Sequence, residues 1–174
     1  MALLMANTSN VKEMKNGRPQ SVQAPKALPN CAIVTLGDTM EATKAELDHV
    51  HAVTAGTAKT AVGKFVIVAP EINVEQYRMI NNDIAKFALE AGEVYTAYEL
   101  QLRDRLEFSQ DYFATVPTVG QTVNIADNGK LTASIESGCL KVISVREQRL
   151  PMVVKDNGTM TPASIKMVKV EVVK

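Results

Sequence analysis

Tryptophan is absent from this chain, and four tyrosines with four phenylalanines bring the aromatics to only 5% of 174 residues. A core built from such a sequence rests on Val, Ile, Leu, Ala and Met, which interdigitate as small and branched side chains instead of stacking as rings. Cysteine is equally scarce. Cys31 and Cys139 are too few and too far apart in sequence for a disulfide framework or a zinc site, and they read as buried free thiols. No apolar run approaches the ~20 residues that span a bilayer as a helix, so no membrane partner is expected. The Met1–Met5 stretch lacks the basic start and long apolar segment of a signal peptide, so synthesis in the cytoplasm is expected. Net charge is missing too: 19 basic residues cancel 19 acidic ones, against the net basic face that a general nucleic-acid binder needs.

What is present is unevenly spread. Residues 1–30 carry Lys12, Lys15, Arg18 and Lys26 against Glu13, a local +3; residues 31–139 carry 8 basic against 15 acidic, a local −7; residues 140–174 carry 7 against 3, a local +4. Segments of opposite sign attract within a subunit or between neighbouring copies. Residues 1–30 are also rich in Asn, Ser, Gln and Lys and broken by Pro19, Pro25 and Pro29. They read as an extended arm with too little apolar surface to offset the entropy of ordering it, and its four cations are the candidate partner-binding residues. The length suits one domain plus an appendage. The expected division is the arm, 1–30, and a β-rich domain, 31–174, able to fold without it.

The domain reads as strands. Asp127-Asn128-Gly129 sits between the alternating runs Val123–Ile125 and Leu131–Ile135, the signature of a hairpin. Ala32–Leu36 before Gly37-Asp38 predicts a strand and turn, and Gly63–Pro70 a strand buried on both faces. Val94, Thr96, Tyr98, Leu100 and Leu102 alternate with polar residues as a half-buried strand should. Further strands are expected over Leu106–Phe108, Leu140–Val145, Leu150–Val154 and Ile165–Val173. Residues 39–50 suit a helix capped by Thr39 or a loop equally well, and residues 73–91 allow one or two short helical turns. The fold class is mainly β: a compact antiparallel barrel or sandwich, an extended N-terminal arm, and at most one or two short helices.

Little of this sequence points to catalysis. Asp48-His49-Val50-His51 would put two imidazoles on one face of a strand, but no third ligand stands at useful spacing. No Gly-x-Ser-x-Gly elbow and no glycine-rich phosphate loop occur. Glu90, Glu93, Glu99, Asp104 and Glu107 read as the solvated face of strands rather than a glycosidase pair, and Lys166, Lys169, Glu171 and Lys174 as charges that protect an edge. No enzyme, cofactor or metal is expected.

One resemblance gives these elements a context. Val68-Ala69-Pro70-Glu71, then Phe87–Leu100 (Phe-Ala-Leu-Glu-Ala-Gly-Glu-Val-Tyr-Thr-Ala-Tyr-Glu-Leu), then Val116–Gln121 leading to Lys130-Leu131-Thr132, Leu140–Val145 and Val168–Val173, resembles the small head-decoration, or cement, proteins of tailed bacteriophages. The resemblance covers roughly residues 60–174. It implies a structural protein on the outer capsid surface of the virion that reinforces contacts between major-capsid-protein subunits, with that protein and neighbouring copies of itself as partners. Two other readings compete: a β-sandwich module recognising a host glycan or protein through Tyr77, Tyr95, Tyr98 or Tyr112, and a metal-dependent hydrolase centred on Asp48, His49 and His51.

Overall fold

The computed structural model describes residues 6–11, 19–40, 49–69, 88–134, 137–154 and 160–174. It is mainly β, and among the described residues the only helical element is a single 3-10 turn, Gln110–Tyr112. The strands are β1 (Ala6–Asn10), β2 (Gln20–Gln23), β3 (Leu28–Pro29), β4 (Ile33–Thr39), β5 (Val50–Thr54), β6 (Phe65–Val68), β7 (Ala88–Leu89), β8 (Val94–Glu99), β9 (Arg105–Ser109), β10 (Thr122–Ile125), β11 (Leu131–Ser134), β12 (Leu140–Val154) and β13 (Met160–Val172). They form a closed barrel in the order β2-β5-β4-β6-β8 and a curled six-stranded antiparallel sheet in the order β1-β9-β13-β12-β10-β11. A short β3-β7 pair completes the set.

Two cores result, and three strands serve both. Inside the barrel lie Val22, Val34, Val53, Ile67 and Ala97, with Leu28 and Leu89 of the short pair. The second core joins the barrel to the curled sheet: Ile33 and Val66 meet Leu106, Phe108, Tyr112, Val123, Leu140, Val168 and Val170. Successive residues of a strand point to opposite faces, so Ile33 and Val34 of β4, Val66 and Ile67 of β6, and Ala97 and Tyr98 of β8 each divide between the cores. β6, Phe65–Val68 within the predicted Gly63–Pro70 run, is therefore covered on both faces as that run predicts. The strand predicted as half-buried is β8, and its second face is also covered, because Tyr95 and Ala97 line the barrel.

The N-terminal residues depart most from expectation. Residues 6–11 and 19–30, predicted as part of an extended arm, are strand and core: β1 pairs with β9, β2 closes the barrel between β5 and β8, and Val11, Val22 and Leu28 are buried. The polar composition misled because short strands send few side chains inward; Val22 of β2 suffices where both edges of that strand are hydrogen-bonded, and β1 is held along one edge by β9. β2 also runs parallel to β5, so the barrel is not wholly antiparallel. Gly37 and Asp38, predicted as a turn, lie within β4. The helical alternatives fall almost wholly on residues 41–48 and 70–87, outside the described residues.

The predicted hairpin is β10–β11, with Ile125 opposite Leu131 and Ala126 N–H donating to Lys130 O at 2.9 Å. Gly129 takes φ +74°, and a Cβ there would lie 2.9 Å from Ala32 Cβ. Gly138 is tighter: its Cβ would stand 2.4 Å from the Val123 carbonyl oxygen and 2.5 Å from its nitrogen, where backbone cannot yield. Gly138→Ala should therefore lower Tm by more than Gly129→Ala. The latter should cost about 1–2 kcal/mol, roughly 2–8 °C for a chain of this size; thermal melts that reverse the order would contradict the packing. Deleting residues 2–28 removes β1 and β2 and should abolish the cooperative β-type unfolding transition in circular dichroism; retention of it would contradict the barrel closure.

Candidate functional site

Among the described residues, polar groups form networks at the junction of the two cores and on the outer face of the curled sheet. At the junction Asn30 is buried (7% exposed), and its Oδ1 accepts from Cys31 N–H at 2.9 Å and from Ala69 N–H at 3.1 Å. Its Nδ2 donates to Ala69 O at 3.4 Å, and its carbonyl accepts the hydroxyl of buried Tyr112. Tyr112 in turn packs on Phe108, ring centroids 5.0 Å apart and tilted 48°. Next to it Cys31 takes a left-handed φ of 60°, which sends the chain from the second core at Cys31 into the barrel at Ala32. This network joins barrel to sheet and leaves no reactive group exposed. Asn30→Ala would strand the Ala69 N–H in an apolar surround, so a loss of about 2–3 kcal/mol in denaturant unfolding is expected; a change within 0.5 kcal/mol, about the scatter of ordinary surface substitutions, would exclude the clasp.

The sheet face carries ion pairs. Arg146 grips Glu107 with two hydrogen bonds, Nε to Oε1 at 2.6 Å and Nη2 to Oε2 at 3.0 Å. The Glu107 hydrogen bond, followed by its charge, raises the Arg146 pKa above the ordinary guanidinium value. Arg105 Nε meets Glu171 Oε2 at 2.9 Å, and Lys169 stands opposite Glu107 in register. Glu107 and Asp104, predicted on a solvated face, are buried instead. Asp104 Oδ2 accepts from Gln101 N–H at 2.9 Å and so holds the turn before β9, while Glu107 is covered and forked by Arg146. Glu90, Glu93 and Glu99 are exposed, as predicted.

Of the predicted partner-binding cations, Lys26 is described: it is exposed, its Nζ 3.5 Å from the Asp127 carbonyl at the tip of the β10–β11 hairpin. Lys12, Lys15 and Arg18 lie outside the described residues. His51 Nδ1 lies 3.1 Å from Gly37 O, His49 is exposed, and Asp48 is outside the described residues. Among the described residues no group of three or more His, Cys, Asp or Glu is placed to hold a metal ion. Tyr112 is buried, Tyr95 accepts from Glu90 N–H at 2.8 Å, Tyr98 packs on the second core, and Tyr77 is not described. Both cysteines are buried free thiols, and burial pushes the Cys139 thiol pKa up.

The feature that sequence reading missed is a ribbon. Leu140–Val145 and Leu150–Val154 were expected as separate strands, yet β12 runs unbroken for 15 residues against β13 of 13. β9 pairs with β13 only from Met167 to Glu171, and β10 pairs with β12 only at Leu140 and Lys141. Among the described residues, the stretch Gln148–Val154 with Met160–Ile165 pairs only with itself. At ~3.3 Å per residue it extends roughly 20 Å past the last rung of β9. No family model, curated protein or solved structure matches the chain.

Proposed function

We propose that this chain is a structural virion protein of the head-decoration, or cement, type, which binds the outer surface of a phage capsid and reinforces contacts between major-capsid subunits. The observation that carries the reading is the order of segments from Val68 to Val173, whose pattern resembles that family. The geometry supports it in kind. Polar groups serve structure in both places: the Asn30 clasp holds barrel to sheet, and the Glu107–Arg146 fork ties β9 to β12 across β13 within the sheet. A decorating protein needs a rigid body with extended surfaces, because many modest contacts repeated over a shell add through multivalency. The glycan-binding alternative draws less support, since the described tyrosines that would supply stacking rings are buried or half-buried.

The test uses the full chain and capsids assembled from the major capsid protein encoded beside it. The expected result is saturable co-sedimentation at a fixed ratio to capsid subunits, together with a higher temperature of particle disruption. Absence of a neighbouring capsid gene, or of binding to such capsids, would overturn the reading; saturable binding to a glycan array instead would select the alternative.

A further inference from the structure

The β12–β13 ribbon leaves the core in a way the register makes explicit. Val145 opposite Val168 faces the second core; two residues further along the same face Glu147 stands opposite Lys166, and beyond that Arg149 opposite Ser164. The column thus turns from apolar to charged as the ribbon outruns the sheet, with Arg149 and Lys166 exposed. A two-stranded ribbon without a third strand is at best marginally stable in water. Its sequence nevertheless reads Leu150-Pro151-Met152-Val153-Val154, apolar for a segment with no ladder partner among the described residues beyond its own hairpin. Pro151 and Pro162 remove N–H donors from both strands, and the register breaks between Leu150 and Val153, so the edges are poor templates for adding a further strand. Contact through the exposed Arg149 and Lys166 side chains is left.

The same chain carries a surface of matching chemistry. Among the described residues of 33–99, Asp38, Glu90, Glu93 and Glu99 stand against Lys59 and Lys64, a net −2, whereas among those of 144–169 Arg146, Arg149, Lys166 and Lys169 stand against Glu147, a net +3. On the barrel, the turn between β7 and β8 exposes Glu90 and Glu93 beside Val94, a large apolar side chain left 45% exposed. We infer that the ribbon of one copy docks on the β7–β8 turn of a second copy, Arg149 and Lys166 facing Glu90 and Glu93 beside exposed Val94. The two surfaces are different patches of one molecule, so the contact is head-to-tail and repeats, closing into a ring or running on as a chain. It requires no capsid, so its outcome is independent of the decoration reading.

The test is sedimentation velocity of the full chain alone over a wide concentration range at low and high salt. Reversible self-association that weakens with salt is expected. Arg149→Glu in the ribbon, and separately Glu90→Lys with Glu93→Lys in the barrel, should each weaken it about fivefold or more. Thermal melts confirm that each variant is folded, and the barrel pair serves if the ribbon variant is not. An equimolar mixture of the two variants should regain association, since wild-type ribbon meets wild-type barrel and the reversed pair meets the reversed pair. A chain that stays monomeric throughout, folded variants that associate as the wild type does, or a mixture that shows no recovery would each overturn the inference.

Discussion

The fold depends on a wall of three strands, β4, β6 and β8, whose alternate residues belong to different cores. In most half-buried sheets a slip of one residue exposes a hydrophobic set to water. In this wall it would exchange two hydrophobic sets of different shape: Ile33, Val66 and Tyr98 would enter the barrel in place of Val34, Ile67 and Ala97. Neither cavity would fit, so the register is specified from both sides. The Asn30 clasp completes the constraint, because its side chain closes the backbone groups of Cys31 and Ala69 at the point where the chain crosses from one core to the other.

The scarcity of aromatics follows from the same arrangement. A barrel of five strands encloses little space, and it is filled by Val22, Ala24, Ala32, Val34, Val53, Ile67, Ala69 and Ala97, with Phe65 and Tyr95 only at its margin. The larger rings, Phe108, Tyr112 and Phe113, all lie in the core under the curled sheet, where the span between barrel and sheet is wide enough to take them. Small side chains in one core and rings in the other are a division that total composition cannot reveal.

What could be read from the chain was local. The β10–β11 hairpin was legible because Asp127-Asn128-Gly129 encodes its own turn, and β6 because a short apolar run between Gly63 and Pro70 leaves few alternatives. The parallel pairing of β2 with β5 carries no sequence signal, since both are short and half polar. Glu107 looked solvated because Arg146, which covers it, lies 39 residues away. The length of β12 was hidden by Pro151, which argues for a break in a central strand but is tolerated where only one neighbour pairs. Of the four N-terminal cations, composition located the charge but said nothing of the strands around it; Lys26 stands between two of them, β2 and β3.

The strand order also sets a schedule for assembly. β13, the latest in sequence of the described strands, lies in the middle of the curled sheet, between β9 and β12. As the chain is synthesised, β9 can gather β1 on one side but must wait with its other edge open until Met167–Glu171 have been made. The barrel, whose latest strand is β8, can close earlier. Nearly every pairing outside the two hairpins joins distant parts of the chain, which makes folding slow, and an open strand edge during that wait is where nascent copies join wrongly. The hazard is greatest between completion of the barrel and arrival of β13, and a chaperone that shields a single sheet edge would act in that interval.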